Sequence, residues 1–375
     1  MPVFLGLTSR GLTEPLAAEI EELKVKRVRA RPDAVEFEGS WADAYRVHLK
    51  SRLATRILLP VSDFQAFNED DLYFGVLRKH DFTKYISPQQ TLKIEAHVRE
   101  HKVLRDQRFV AMKVKDAVVD QFWNKFNERP SVSFEDADLR IVVRIVGNDV
   151  SLAIDVTGEP LSHRGYRRFA GAAPLRENVA AGLLRLANWQ APTPIVDPFC
   201  GSGTVLIEAA LSLGAGSSNK RRRKYAFENL KIFQPEAWAA VNQAPLRKAA
   251  PAKPFLFGYD KDPVILNRAR ENARDAGVEN WILFQQKDVR ELKAPVEQGL
   301  IITNPPYGER ISDAAGIAAL YSDFASTLKR EFKGWDAWIL SGNSEASAGL
   351  RLKSARKIPI WNGPIECRFL HYPLR

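Results

Sequence analysis

Cysteine is scarce in this chain, and long hydrophobic runs are absent from it. Its 375 residues include only Cys200 and Cys367, which excludes a disulfide framework and a cysteine-rich zinc site. We therefore expect a reduced, cytoplasmic compartment and no bound metal. The apolar runs are short and interrupted by charged residues, so we expect neither a signal peptide nor a membrane span.

Positive charge is present in excess. The 55 Lys and Arg residues outnumber the 45 Asp and Glu residues, which gives a formal net charge of +10. Such a balance indicates a polyanionic partner, most simply a nucleic acid. The hydrophobic fraction of 45% is sufficient for well-packed cores, and the length allows two or three domains of ~100–200 residues each.

Residues 1–157 alternate short strands with amphipathic helices and contain no catalytic constellation. Turn residues at Pro32-Asp33 and at Gly147-Asn148-Asp149 predict two β-hairpins. This half is therefore predicted to be mixed α+β. The predicted strands are 3–8, 55–61 and 92–98, and the predicted helices are 14–23, 41–50, 68–80 and 106–126.

From residue 194 onward, strands alternate with helices, a pattern typical of a parallel, doubly wound α/β sheet. Ligands of such sheets bind beyond the carboxyl ends of the strands. We therefore expect the functional residues at those ends. The strands with polar carboxyl ends lie within 194–214, 254–277, 281–289 and 299–308.

The first of these strands ends at Asp197 and leads into a glycine-rich turn at 201–203. Glycine lets the backbone approach a ligand closely, and the following helix offers free N–H groups. The turn lacks both the dinucleotide-binding spacing and the lysine of a P-loop. Neither a dehydrogenase nor an NTPase is therefore favoured.

Two further acids follow the next two strands. Asp260 can accept both hydroxyls of a ribose, and Asp288 can accept from the exocyclic amine of a purine. Each acid alone is more simply explained as a helix cap or turn residue. Together with Asp197 they favour a ligand that combines an ammonium, a ribose, an adenine and a positively charged sulfur, which is S-adenosylmethionine.

The fourth strand runs into Asn304-Pro305-Pro306-Tyr307. The two prolines fix φ and remove backbone donors, so the turn is rigid. The Asn304 oxygen and a proline carbonyl can accept both N–H bonds of a nucleobase amine and hold its nitrogen toward a methyl donor. Tyr307 can stack on the base. An ordinary turn after a buried strand is the alternative.

The segments DPFCGSGT (197–204) and NPPYGER (304–310) resemble those of Rossmann-fold amino-methyltransferases. The whole chain resembles the THUMP-domain RNA guanine-N2 methyltransferases. Within them it is most similar to the bacterial enzymes for large-subunit ribosomal RNA, in a stand-alone form equivalent to the amino-terminal half of a longer fused protein. The segments HRGYR (163–167), APLRENVAAGLL (173–184) and RKYAFENLKIFQPEAW (223–238) add to this resemblance.

The resemblance implies an α/β, Rossmann-like class I methyltransferase domain preceded by an α+β ferredoxin-like and THUMP part. The implied domains are a ferredoxin-like domain at 1–60 and an RNA-binding THUMP domain at 61–157. A linker helix and the S-adenosylmethionine-dependent methyltransferase domain would occupy 158–375.

The resemblance also implies roles for individual residues. Asp197 and the glycine turn would line the methionine end of the cofactor, Asp260 with Asp262 the ribose, and Asp288 the adenine. The expected catalytic residues are Asn304, Pro305, Pro306 and Tyr307. The expected cofactor-binding residues are Asn178, Asp197, Cys200, Gly201, Ser202, Gly203, Thr204, Asp260, Lys261, Asp262, Asp288, Val289 and Asn304.

Two basic stretches are interpreted as RNA contacts, with a solvated hinge and a solvated loop as the alternatives. The second stretch lies in an insertion, which explains why Asp260 follows Asp197 by 63 residues (260 − 197) rather than ~20. The residues concerned are His163, Arg164, Tyr166, Arg167 and Arg168 in the first stretch, and Arg221, Arg222, Arg223 and Lys224 in the second.

The expected substrate is guanine N2 in 23S rRNA or in one of its assembly intermediates. A tRNA guanine is an open alternative. DNA adenine N6 is another, because the same turn chemistry serves both amines, although no DNA-recognition domain is evident. A non-catalytic RNA-binding assembly factor is the alternative from another class. The oligomeric state is left open.

Overall fold

The computed structural model of the protein describes residues 1–167, 175–214, 224–243, 248–306 and 314–375. Within these residues the chain separates into two compact units. The first unit contains residues 1–7, 17–161 and 224–243, and the second contains 8–16 and the rest of the described residues. Five residues with predicted roles lie outside the described residues, namely Arg168, Arg221, Arg222, Arg223 and Tyr307.

Helices and strands occur throughout both units. The helices are α1 Thr13–Glu22, α2 Trp41–Lys50, α3 Glu69–Lys79, α4 Gln107–Phe126, α5 Glu177–Leu186, α6 Thr204–Ser212, α7 Pro235–Val241, α8 Pro263–Ala276, α9 Ala314–Glu331 and α10 Ser344–Gly349. The strands are β1 Val3–Leu7, β2 Lys26–Ala30, β3 Val35–Glu38, β4 Arg56–Gln65, β5 Thr91–Arg99, β6 Ser131–Val132, β7 Leu139–Val146, β8 Asp149–Asp155, β9 Ile195–Asp197, β10 Leu256–Asp260, β11 Ile282–Gln286, β12 Leu300–Thr303, β13 Asp336–Ser341, β14 Arg356–Asn362 and β15 Ile365–Pro373. Across the described ranges, each helix is too short or too polar to span a lipid bilayer.

The first unit is built on one mixed sheet with the strand order β2-β3-β1-β4-β8-β7-β5-β6. The two hairpins predicted from turn residues are confirmed as the antiparallel pairs β2–β3 and β7–β8. Leu139, Ile141, Val143 and Ile145 of β7 are fully buried because alternate side chains of a strand point to the same face. β6 was not predicted, since two residues are too few to show a period.

Strand β4 connects the two halves of this sheet. Its residues 56–58 pair with β1, and its residues 58–65 pair with β8. The domain boundary expected at residue 60 therefore falls inside a continuous strand.

Residues 224–243, which sequence reasoning assigned to the catalytic domain, belong to the first unit. The ring centroid of Phe227 lies 4.5 Å from that of Tyr45 in α2, and the Trp238 ring of α7 lies 5.5 Å from it. The backbone N–H of Gln234 donates to the Tyr45 hydroxyl at 3.1 Å. The aromatic side chains of the insertion thus complete a core around α2, which the sequence pattern did not reveal.

The second unit contains a seven-stranded sheet with the order β11-β10-β9-β12-β13-β15-β14. The first five strands in this order are parallel, and β15 runs antiparallel to both of its neighbours. The parallel sheet agrees with the sequence prediction, and β14 and β15 form a terminal hairpin. The chain order reverses between β9 and β12, and ligands of such sheets bind at the carboxyl ends of strands at this point.

Helices cover both faces of the second sheet. Neighbouring residues Ile195 and Val196 of β9 belong to two different apolar clusters because successive strand residues face opposite sides. The first cluster includes side chains from α5, α6 and α8, and the second includes side chains from α9. Asp262 caps α8 by accepting hydrogen bonds from the N–H groups of Val264 and Ile265, so the helix begins at Pro263, shortly after the end of β10.

The second unit also includes residues 8–16. Leu12 is fully buried in its apolar core, where a Cβ at Gly182 would lie 2.5 Å from a Leu12 methyl group. The Arg10 guanidinium lies 4.4 Å from the Trp361 ring centroid, and the Arg10 carbonyl accepts from the Trp361 N–H at 3.1 Å. A segment from the start of the chain is therefore an integral part of this unit.

Candidate active site

Asp197 lies at the carboxyl end of β9, where the strand order reverses. It is 2% exposed, and its Oδ1 accepts from the Thr303 hydroxyl at 2.6 Å and from the Phe199 N–H at 3.2 Å. Burial raises the pKa of Asp197 to about 7, although both hydrogen bonds act in the opposite direction. The side chain connects the ends of β9 and β12.

Asp260 connects the next pair of strand ends. Its Oδ2 accepts from the Gly201 N–H at 3.1 Å, and its Oδ1 accepts from the Asp262 N–H at 3.0 Å. Burial raises the pKa of Asp260. Each oxygen keeps a second lone pair, so the carboxylate can hold the glycine turn and still accept from a ligand.

The two glycines of the turn, Gly201 and Gly203, have different surroundings. Both have positive φ, +53° at Gly201 and +81° at Gly203, which disfavours other residues. A Cβ at Gly203 would lie 3.0 Å from the Phe284 ring, so this glycine serves packing. Among the described atoms, a Cβ at Gly201 would meet only the Phe199 carbonyl, at 4.0 Å. A ligand can therefore approach the backbone at Gly201.

Of the remaining residues of the turn, Cys200 and Thr204 are buried and Ser202 is partly buried. Cys200 is buried as a free thiol, and burial raises its pKa well above the ordinary value. Thr204 is buried at the start of α6, where its hydroxyl accepts from Arg167 at 2.8 Å. The Ser202 hydroxyl lies 3.3 Å from that of Thr204.

Asp288 caps the short helical turn at 289–291, the simpler alternative that the sequence left open, whereas α8 is capped by Asp262 and not by Asp260. Asp288 accepts from the N–H, Nε and Nη2 of Arg290, and this side chain lowers the pKa of Asp288 to about 2. Lys261 is exposed, and the Val289 side chain is buried in the apolar core.

Asn304 follows β12 directly, beside the end of β9. Its Oδ1 is buried and has no hydrogen-bond partner among the described residues. Pro305 is buried and Pro306 is half-buried, so the turn is anchored in the protein. An unpaired buried acceptor is costly unless a ligand satisfies it.

Asn178 presents a second acceptor of this kind, in the first turn of α5. The residue is fully buried, and its Nδ2 donates to the Ser9 hydroxyl at 3.0 Å. Its Oδ1 has no partner within the described ranges. The bond from Nδ2 fixes the amide orientation and leaves Oδ1 available for a donor.

The basic tract between the two halves does not have the exposure expected of an RNA contact. Arg164 and Tyr166 are buried, and both approach Glu208 Oε1, at 3.4 Å and 3.3 Å. The Arg167 side chain is 12% exposed and lies 3.6 Å from Glu177. Buried acids of α5 and α6 hold Arg164, Tyr166 and Arg167 inside the second unit, so little of these three side chains is accessible for the predicted RNA contacts.

The sequence contains a signal for this network that was overlooked. Glu208 is a single acid within the apolar helix α6, whose other side chains are almost all buried. A buried carboxylate needs a cation or hydrogen-bond donors, which predicts a basic partner elsewhere in the chain. Of the other predicted RNA contacts in the described ranges, His163 and Lys224 are exposed.

The parallel sheet, its order reversal and the glycine turn place the second unit in the class of Rossmann-like α/β domains. Three family models match this chain. Residues 164–371 match the RMKL-like methyltransferase domain, residues 66–155 match the THUMP domain, and residues 4–58 match the RlmL ferredoxin-like domain. The chain belongs to the RMKL-like methyltransferase family. The fold class and the resemblance predicted from the sequence are thereby confirmed.

Individual relatives agree with this assignment. The chain is 38% identical to the ribosomal RNA large subunit methyltransferase K/L of Photobacterium profundum, over 98% of this chain and 52% of that protein. It thus spans about half the length of the curated relatives it matches. The structure of SMU.472 complexed with SAH has a TM-score of 0.85 at 25% identity, over 100% of this chain and 98% of that chain. A protein from Clostridium difficile 630 gives a TM-score of 0.87 at 28% identity, over 100% of this chain and 98% of that chain.

Proposed function

We propose that this protein is an S-adenosylmethionine-dependent methyltransferase that forms N2-methylguanosine in large-subunit ribosomal RNA in the cytoplasm. The observation that carries this proposal is the buried, unpaired Oδ1 of Asn304 at the carboxyl end of β12. The membership of the family and the name of the relative from Photobacterium profundum support the reaction and the substrate class.

The described residues fit the cofactor. Gly201 leaves its backbone open to a ligand, Asp260 keeps lone pairs for ribose hydroxyls, and Asn178 offers a fixed acceptor for an ammonium group. Asp288 would accept a hydrogen bond from the adenine amine, for which the Arg290 guanidinium competes as a donor. S-adenosylmethionine supplies a methyl group on a positively charged sulfur.

Asn304 would bind the amine to be methylated. The lone pair of a guanine N2 amine is delocalised into the ring, so the nitrogen is a weak nucleophile that needs orientation. Asn304 Oδ1 accepts one N–H bond, and a carbonyl of the anchored proline turn accepts the other. Because these acceptors are fixed before the base arrives, little reorganisation accompanies the reaction. The methylated amine then loses a proton readily, so no strong general base is required.

The first unit would hold the RNA around the target base. Near the carboxyl end of α4, Trp123 is 45% exposed and Phe126 is 39% exposed. Arg129 lies 5.1 Å from the ring centroid of Trp123, and Lys125 lies 5.5 Å from that of Phe126. Exposed rings beside cations suit unpaired nucleotides, which offer flat bases and a phosphate backbone.

Binding and methyl transfer, measured separately with the full chain, test this function. Calorimetry should show S-adenosylmethionine binding. Incubation with in vitro transcribed 23S rRNA should produce N2-methylguanosine, detected by nucleoside mass spectrometry. Parallel reactions with tRNA transcripts and duplex DNA should yield far less product.

Each alternative predicts a different result. Preferential methyl transfer to tRNA would identify tRNA rather than rRNA as the substrate. N6-methylated adenine in DNA would overturn the assignment of guanine as the target base. RNA binding without transfer to any substrate would indicate an assembly factor. Because a paired guanine must leave its helix to reach Asn304, protein-free rRNA should be methylated better than intact subunits.

A further inference from the structure

A pocket of about 510 Å³ lies at the carboxyl end of β13 in the second unit. Ligand pockets in proteins commonly have volumes of ~300–1,000 Å³. Strand β13 is the parallel neighbour of β12, the strand that leads into Asn304. The pocket therefore lies at the edge of the sheet that carries the candidate active site.

Side chains of both charges line this pocket. Arg368 and Glu366 are two residues apart on β15 and so share one face, with Arg368 Nη1 2.6 Å from Glu366 Oε1. Both side chains are about half exposed, at 48% and 52%, so their ion pair is weak and can open toward a ligand. Lys357, on the neighbouring strand β14, has no ion-pair partner within the described residues.

The rest of the lining is partly polar and partly apolar. The hydroxyls of Ser341 and Ser347 lie 2.7 Å apart on one side. Leu370 and Tyr372 are buried and contribute apolar surface. A planar group with polar edges would satisfy both parts of this lining.

We propose that this pocket binds an RNA nucleotide adjacent to the methylated one, with its phosphate at Lys357 and Arg368 and its base edge at Glu366. The proposal rests on the proposed function, since it assigns a subsite to the same substrate. A phosphate alone does not explain Glu366, because two anions repel each other. A nucleotide carries both an anion and N–H donors, and a carboxylate accepts from such donors.

Two variants separate the phosphate contact from the base contact. In filter-binding titrations of in vitro transcribed 23S rRNA over a salt series, Lys357→Ala should reduce the slope of log affinity against log salt by about 0.7–0.9. Glu366→Gln should leave that slope unchanged and weaken RNA binding by about tenfold, through loss of a charged acceptor. Lys333→Ala is the matched control, because this exposed lysine lies just before the opposite end of β13.

The outcomes distinguish this subsite from the proposed function. S-adenosylmethionine affinity should stay at the wild-type value in all three variants. A wild-type slope in Lys357→Ala would overturn the subsite, and so would tighter RNA binding by Glu366→Gln, which would indicate an anion without a base. Failure of the wild-type chain to methylate any RNA would instead overturn the proposed function. The salt slopes of RNA binding do not depend on turnover, so they test the subsite separately.

Discussion

The Thr303 hydroxyl donates to Asp197 Oδ1 at 2.6 Å and so joins the two strands between which the chain order reverses. The same oxygen accepts from the Phe199 N–H. An asparagine at position 197 keeps an oxygen that can accept both bonds, whereas it cannot ionise. The pair therefore allows a test of the charge at this position with little change of geometry.

Burial raises the pKa of Asp197 from 3.8 to about 7, so the folded state binds more protons than the unfolded state between these values. The contribution of this group to stability is therefore present below pH ~4 and is lost as the pH rises through ~7. We expect Asp197→Asn to be more stable than the wild type at pH 8 and to differ little from it at pH 4. Thermal unfolding of both proteins across this pH range provides the measurement. If the stabilities of the wild type and the variant changed with pH in the same way, Asp197 would have an ordinary pKa.

Asn304→Ala should strongly lower the rate of methyl transfer and spare cofactor binding. Removal of one preorganised polar group from a reacting centre costs on the order of 10²-fold or more in rate. Methyl incorporation into 23S rRNA should fall by that factor, and S-adenosylmethionine affinity by calorimetry should stay within a few-fold. Asn304→Asp is the control, since it keeps an oxygen acceptor. An active alanine variant would contradict the assigned role of the turn.

Asp260→Ala should weaken cofactor binding. The substitution leaves ribose hydroxyls and the Gly201 N–H without an acceptor, at a cost of about 1–3 kcal/mol, equivalent to roughly 10–100-fold in affinity. Calorimetry with S-adenosylmethionine measures this loss. Glu271→Ala, at an exposed carboxylate of α8 outside the candidate site, is the control and should leave the affinity unchanged. Unchanged affinity in Asp260→Ala would place the ribose elsewhere.

Glu208→Gln should destabilise the fold without changing the salt dependence of RNA binding. The substitution leaves the Arg164 charge buried beside a neutral group, and such a loss costs about 3–5 kcal/mol. Chemical denaturation should show the loss, with a salt slope for RNA equal to that of the wild type. If the slope fell while stability stayed constant, the tract at 163–167 would be an RNA contact after all.

A fragment of residues 165–375 lacks Leu12, part of the core of the second unit, and should not fold as an independent methyltransferase domain. In the full chain, Leu12→Ala should lower the free energy of unfolding by about 2–5 kcal/mol, because it opens a cavity in the core of the second unit. Arg10→Ala, on the surface of the same segment, should cost much less. A soluble fragment 165–375 with wild-type S-adenosylmethionine affinity would contradict this expectation.

Sequence patterns were enough to predict most of the strands and helices, the two hairpins and the strand ends at Asp197, Asp260 and Asn304. These features depend on local physics, since side-chain period, turn residues and proline geometry act over a few residues. The burial of Arg164 and the packing of residues 224–243 depend instead on long-range contacts in the fold. Arg164 meets Glu208 across 44 residues, and Asn178 meets Ser9 across 169. Such pairs form because a buried charge or amide must find a partner inside the fold, and no local pattern specifies which distant residue supplies it.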